Sequence, residues 1–360
     1  MKVLALVQAA YDVAPGQRYR IEQWEPLLRE YGIEIHYEPF QSVELSAVIY
    51  KQGQYLKKTE LAIQSFLRRL RVVNGASEYD LIYVLREASV LGPPLIEHKL
   101  KNCGIPVIYD FDDAVWLRYI SPTNGYASLL KGTPGKTRAL CRLAAHVMAG
   151  NNYLADYSRQ FNKNVSVVPT TIDIEKYKIT PRPPNEVPVI GWTGSHSTLR
   201  HLDTLRGTLL RLAKSERFRL RVIGATPYEL PGVDVENIKW RSASEVEDLR
   251  PIDIGVMPLP DDPWARGKCA LKALQYMALG IPTALSPVGV NAEIVQDGRN
   301  GYLAGTEDQW VEKLTRLLHN SELRQQMGTA GRQTLENNYS AQVQVPRIAS
   351  IFNSVVTPKT

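Results

Sequence analysis

The residues best suited to chemistry lie between Asp253 and Gly301, in the run DIGVMPLPDDPWARGKCALKALQYMALGIPTALSPVGVNAEIVQDGRNG. The apolar stretch Asp253 to Leu259 reads as a strand, followed by a Pro/Asp/Gly loop. A helix opens near Lys268, Gly280-Ile281-Pro282 stops it, and another strand runs into Ser286-Pro287. The loop brings Gly267 and Lys268 to the first turn of the helix, where unpaired backbone N–H groups and the helix dipole favour an anion. The pattern predicts a site for a phosphate-bearing ligand. Cys269 falls inside it, either as a small packing residue or as a nucleophile.

A second cradle of the same kind is Thr193-Gly194-Ser195-His196-Ser197-Thr198, small hydroxyl residues and a glycine between a strand (Val187 to Trp192) and a helix (Leu199 to Lys214). Arg200 is the nearest cation, and helix capping by Ser197 or Thr198 explains part of the segment. Carboxylates gather at Asp110-Phe111-Asp112-Asp113, where a strand from Pro106 to Asp110 ends. Side chains two apart on a strand share a face, so Asp110 and Asp112 would point together from its carboxyl end. They could accept a hydrogen bond from a substrate hydroxyl, or one or more could cap the next helix. Arg18 and Arg20 follow the first strand and loop, where they either meet a substrate phosphate or form a solvated helix start.

The run GKCALKALQYMALGIPTALSPVGVNAEIVQDGRNGYL resembles the donor-site segment of GT-B glycosyltransferases of family 4, the retaining glycosyl transferases group 1. That family carries a Glu, seven residues, a second Glu and a Met-Ala-x-Gly-x-Pro turn. Aligned on Met277-Ala278-Leu279-Gly280-Ile281-Pro282, the second Glu falls on Gln275 and the first on Gly267, a subgroup pattern of GKC…KxxQYMAxGxP. Gln275 can still bond a ribose hydroxyl, because its amide both donates and accepts. Gly267 offers no side chain, so Asp261 or Asp262 would have to replace the lost carboxylate.

The resemblance implies donor phosphate contacts from Gly194, Ser195, Arg200 and Lys268. It implies nucleoside and sugar contacts from Trp240, Arg241, Gly267, Cys269, Leu271, Lys272, Gln275 and Glu293, with Trp240 equally readable as core and Glu293 as a cap. Arg18 and Arg20 fall on the acceptor side. Asp112 and Asp113 take the places of a His-Asp pair found in many relatives, and with Asp110 they are the candidate catalytic residues. Asp110-Phe111-Asp112 also matches the metal motif of GT-A enzymes, but a second Rossmann half argues against that fold, and no metal is expected.

These motifs require elements to hold them. At 360 residues the chain is long enough for two domains, each with its own core. The first half alternates strands (Val3 to Val7, Glu34 to Tyr37, Asp80 to Leu85, Pro106 to Asp110, His146 to Ala149, Val165 to Val168) with helices, beginning with one from about Arg18 to Tyr31. No GxGxxG follows the first strand, so a dinucleotide there is not expected. His146 reads as structural. The polar, proline-rich run Ile179 to Glu186 reads as a linker. In the second half, Arg219 to Ile223 and Val235 to Trp240 supply further strands, and helices between Glu307 and Asn338 close it. The expectation is an α/β fold of GT-B type. An acceptor domain spans 1–176, a donor domain 177–340, and a last helix in 341–360 crosses back; two Rossmann-like domains with parallel sheets face a central cleft.

Composition bounds the partners. Net charge is +6, from 43 Lys and Arg against 37 Asp and Glu, which favours an anionic partner. Nucleic acid is not expected, because the basic residues are not interleaved with aromatics. Three scattered cysteines suggest neither a disulfide framework nor a metal set. No apolar run approaches the roughly 20 residues of a membrane span, and Met1 to Val7 is too short for a signal peptide, so a cytoplasmic location is expected. A helix over 50–73 is basic (Lys51, Lys57, Lys58, Arg68, Arg69, Arg71 against Glu60) with Leu56, Ile63, Phe66, Leu67 and Leu70 toward one side. Either its apolar side packs on a core, or it lies peripherally on the inner face of the membrane.

The expected function is retaining transfer of a sugar from a nucleotide-diphosphate donor, UDP- or GDP-linked, to a hydroxyl of a glycan, lipid-linked or other small acceptor, without a further cofactor. The alternative is a catalytically silent nucleotide-sugar-binding subunit or scaffold. An epimerase or phosphorylase on the same fold is a third reading.

Overall fold

A computed structural model describes residues 1–49, 51, 53–89, 94–117 and 133–356. The chain forms two compact units. One runs from Met1 to Thr170 and takes in the chain from Gln344; the other is Thr171–Val343.

The first unit is built on six parallel strands: β1 (Lys2–Val7), β2 (Glu34–Pro39), β3 (Leu81–Leu85), β4 (Val107–Phe111), β5 (His146–Ala149) and β6 (Val165–Val167). Their order is β2-β1-β3-β4-β5-β6. Five of the six residues of β1 and all of those in β3 and β4 are buried, as expected of strands covered on both faces. The second unit repeats the plan with β7 (Val189–Gly194), β8 (Arg219–Gly224), β9 (Asp234–Ile238), β10 (Ile254–Met257), β11 (Thr283–Leu285) and β12 (Tyr302–Leu303), in the order β12-β11-β10-β7-β8-β9. From β7 the chain winds through β8 to β9 on one side, then crosses to β10 and β11 on the other. The crevice outside the carboxyl ends of β7 and β10 is therefore the topological switch point, the place where open α/β sheets bind ligands.

One contact places the loops after β7 and β10 there. The helix Leu271–Ala278 lies over β10 with Tyr276 flat against Gly255, where a Cβ would come within 2.3 Å of the ring. The Tyr276 hydroxyl accepts a hydrogen bond from the Thr193 N–H at 3.1 Å, at the end of β7. A strand glycine is usually a weakness. Here it admits the aromatic ring that ties this helix to both strands of the switch point.

Local differences from the sequence reading have identifiable causes. The helix expected over Leu199 to Lys214 is two, Leu199–Asp203 and Arg206–Leu212. Thr204 sits at the break, its hydroxyl donating to the His201 carbonyl at 2.7 Å, a side-chain bond that competes with helix continuation. The helix expected from Arg18 to Tyr31 is Pro15–Gln17, a π turn Arg18–Glu22 and Glu25–Glu30. The basic helix is Tyr55–Asn74, and Tyr50, its expected start, lies outside the described residues. It buries Ala62, Ser65, Arg69 and Val73, whereas Leu56, Ile63 and Leu67 are exposed. Of the two readings of its apolar side, packing on a core does not hold for these three residues. Phe66 does pack beside Phe40 and Leu45.

Replacing Gly255 by Ala should lower stability by about 1–3 kcal/mol, the usual cost of overpacking, because the Cβ would displace the Tyr276 ring. Urea unfolding measures this, and wild-type stability in Gly255→Ala would contradict the packing described.

Candidate functional site

In the second unit the loop after β7 and the loop after β10 meet at the switch point. After β7, Gly194 packs so closely on Trp192 that a Cβ would lie 2.5 Å from the indole. Ser195 is exposed, its hydroxyl 2.8 Å from that of Ser197. After β10, Asp262 caps the short helix Pro263–Arg266 by accepting from the Ala265 N–H at 2.7 Å, while Asp261 pairs with the Arg266 guanidinium at 2.7 and 3.1 Å. Lys268 then lies over the Trp264 ring at 5.1 Å and Lys272 over the Trp192 ring at 4.9 Å. Cys269 is buried, its thiol directed at the Gly267 carbonyl, 3.8 Å away. Ala270, at φ +55°, holds a left-handed conformation rare for a residue with a side chain just before the helix that bears Leu271, Lys272 and Gln275.

The electrostatic signature of this corner is recorded by His201, which the sequence reading did not single out. It is 2% exposed, and neither ring nitrogen has a hydrogen-bond partner among the described residues. Burial and the nearby cations Lys272, Arg200 and Lys268 hold its pKa down, from an ordinary 6.5 to about 4, with Asp262 opposing weakly. Three predicted site cations thus raise the positive potential at His201. The signal was present in the sequence, since His201 follows Arg200 at the start of the predicted helix.

Deeper in the unit, Gln275 is 4% exposed. Its amide nitrogen donates to the Tyr177 hydroxyl at 2.8 Å and to Glu245 at 3.2 Å, and the Trp240 indole N–H donates to the same Glu245 oxygen at 3.2 Å. Gln275 and Trp240 are thereby brought together through a buried carboxylate that sequence reasoning missed. Arg241 and Glu293 are exposed, after β9 and in the helix Val290–Ile294 respectively.

In the first unit the predicted acids separate. Asp110 is fully buried inside β4. Arg20, also fully buried, grips both of its oxygens, one through Nε at 3.1 Å, and donates to the Val168 carbonyl at 2.6 Å; the Tyr83 hydroxyl donates to Asp110 as well. Burial alone would lower the Arg20 pKa, but the facing Asp110 outweighs it and keeps the guanidinium charged. Arg18 is 5% exposed and pairs with Asp12 at 2.7 Å. Asp112 and Asp113 instead lie beyond the end of β4, partly accessible, and share Arg86: Asp112 at 2.6 and 2.9 Å, Asp113 at 3.0 Å. Arg86 follows β3 with φ +63°, and a Cβ on Gly16 would meet its guanidinium at 2.5 Å. The loops after β1, β3 and β4 therefore converge on an Arg86–Asp112 pair at the switch point of this sheet.

A separate cavity of about 220 Å³ lies in the second unit between Lys178, Arg182, Arg250, Asp253 and Gly280. It opens at the amino ends of β10 and β11, opposite the loops above. Among the described residues no group of three His, Cys, Asp or Glu side chains is placed to hold a metal, and no helix is long and apolar enough to cross a membrane.

The chain is similar to known proteins in part of its sequence and in its fold. Residues 187–320 match the family described as Glycosyl transferases group 1. An 81-residue stretch is 32% identical to spore coat protein SA of Bacillus subtilis (strain 168), covering 22% of this chain and 22% of that protein. The whole chain has the GT-B fold of solved glycosyltransferases. It is similar to sucrose-phosphate synthase from Thermosynechococcus elongatus, with TM-score 0.71, 14% identity and 98% of each chain covered. It is likewise similar to Anabaena HepE solved in complex with UDP-glucose, with TM-score 0.67, 16% identity, and 98% of this chain and 100% of that one covered.

Two outcomes follow from the charges. Asp110→Ala, which strands a buried guanidinium, should cost about 3–5 kcal/mol in urea unfolding, far more than Asp112→Ala at the partly accessible pair. Because the His201 pKa is lower in the folded chain than in the unfolded one, its contribution to stability is complete above pH 6.5 and declines as pH falls toward 4. His201→Leu should flatten that decline in unfolding measured across the window, and an unchanged pH dependence would contradict it.

Proposed function

We propose that this chain transfers a sugar, with retention of anomeric configuration, from a nucleoside-diphosphate donor to a hydroxyl of a glycan or lipid-linked acceptor. The observation that carries the reading is the placement of Lys268 over the Trp264 ring and Lys272 over the Trp192 ring, with Arg200 exposed after β7, at the switch point of a unit whose residues 187–320 match the group 1 glycosyltransferases. UDP is the donor nucleotide favoured here, because Anabaena HepE, a protein of the same fold, was solved in complex with UDP-glucose.

On this reading the diphosphate lies against the Gly194–Ser195 loop and the turn at Lys268. As the sugar leaves, negative charge grows on the diphosphate, and the cations and backbone N–H groups already in place stabilise it without reorganising. The buried, neutral His201 keeps that corner free of a competing proton. The Gln275–Glu245–Trp240 cluster holds the nucleoside end, with Gln275 and Glu245 offering polar atoms to ribose. The departing phosphate takes the acceptor proton, so no protein nucleophile is needed, and Cys269 serves as packing. In the first unit, Asp112 accepts a hydrogen bond from the acceptor hydroxyl, its orientation fixed by Arg86.

A second reading, a nucleotide-sugar-binding subunit without catalysis, is favoured by one observation. Neither family Glu is present, and Asp261 and Asp262 are engaged by Arg266 and by the helix they precede. Purified protein offered a panel of UDP-, GDP-, ADP- and dTDP-sugars, with release of free nucleotide followed, separates the two. The proposal expects release from a UDP-sugar and a Kd for UDP raised about tenfold to a hundredfold by Lys268→Ala, the usual value of a charged hydrogen bond. Binding without release across a broad acceptor panel supports the second reading, and absence of both binding and release overturns the donor site.

A further inference from the structure

The helix Tyr55–Asn74 turns an apolar stripe toward solvent. Leu56 is 90% exposed, Ile63 55% and Leu67 47%. Their spacings of seven and four place them on one face of a helix, opposite the buried Ala62, Ser65, Arg69 and Val73. The preceding helix, Val43–Ile49, adds Val43 at 81% exposure. Scattered leucines on a surface need no explanation, but three large apolar side chains along one helix face mark a contact.

The charge beside the stripe indicates the partner. At about 100° per residue, Lys57, Arg71 and Arg68 fall along one flank of the stripe, with Glu60 as the acidic residue there. Lys57 and Arg71 are exposed, as is Lys51 just before the helix, whereas Arg68 is bound to the carbonyls of Pro39 and Phe40 at 2.6 and 3.0 Å. The outward surface is thus amphipathic in its own right: apolar along one edge, cationic along the next. A protein partner for the apolar edge alone would have no need of the cations. A bilayer surface with anionic headgroups uses both, the leucine-sized side chains entering the headgroup and acyl boundary while Lys57 and Arg71 meet phosphates.

We propose that the helix Tyr55–Asn74 seats the first unit on an anionic lipid surface through Leu56, Ile63 and Leu67, with Lys57 and Arg71 as the headgroup contacts. This association is interfacial and reversible, and it stands apart from the donor reading. A chain that binds vesicles but turns over no donor would retain this surface and lose that reading.

The test is flotation of the 360-residue chain with vesicles of phosphatidylcholine alone and of phosphatidylcholine mixed with phosphatidylglycerol, at low and high salt. Binding is expected to the mixed vesicles only and to weaken with salt. Substituting Leu56, Ile63 and Leu67 together by Ser, at positions already exposed and therefore safe for folding, should abolish it. The pair Lys57→Gln and Arg71→Gln should reduce partition about thirtyfold. No binding to the mixed vesicles, or equal binding by the triple variant, overturns the proposal. So does a self-association of the wild-type chain that the triple variant loses while vesicles bind neither.

Discussion

The second unit depends on the seat of Tyr276 in the space left by Gly255. Because β10 lacks a side chain there, the helix behind the ligand loop approaches the sheet closely, and the tyrosine hydroxyl reaches across to the Thr193 N–H at the end of β7. That single side chain ties together the helix bearing Lys272 and Gln275, the strand before the Lys268 loop and the strand before the Gly194 loop. The sheet order then does the rest, since β7 and β10 flank the point where the winding reverses. A ligand site formed in this way rests on rigid elements, and only its rim is loop.

The two units handle charge differently, and the contrast separates structure from function. In the first, Arg20 and Asp110 are both fully buried and neutralise one another within the sheet. Such a pair holds elements together but has nothing left to offer a substrate. In the second, Lys268 and Lys272 are held over indole faces and Arg200 remains exposed, with His201 driven neutral in their field. Positive charge gathered near a buried histidine is costly for a fold and useful for an anion. The Arg86–Asp112–Asp113 group lies between these cases, paired yet partly accessible at the ends of its strands.

Much of this was legible in the residues alone. Parallel strands buried on both faces read as unbroken apolar runs, so the α/β class and the alternation of elements followed from pattern, and the turn Gly280-Ile281-Pro282 marked the end of the ligand helix. The GKC run drew attention to Lys268 and Lys272. What pattern could not convey was the burial of polar groups. Asp110 and Asp112 share a strand face by periodicity, yet one is sealed by Arg20, ninety residues earlier, and the other is not. Arg86, Glu245 and Tyr177 acquire meaning only through partners distant in sequence. The helix Tyr55–Asn74 shows the same limit: its periodicity was plain, but whether Leu56, Ile63 and Leu67 faced protein or solvent depended on which side the sheet took.

The central claim, that the nucleotide diphosphate sits between the loops after β7 and β10, is tested most directly by amide hydrogen exchange with and without saturating UDP. The account predicts slowed exchange in residues 193–200 and 264–275. Protection confined to the opposite cavity, around residues 178–182 and 250–253, or to the first unit, would contradict it.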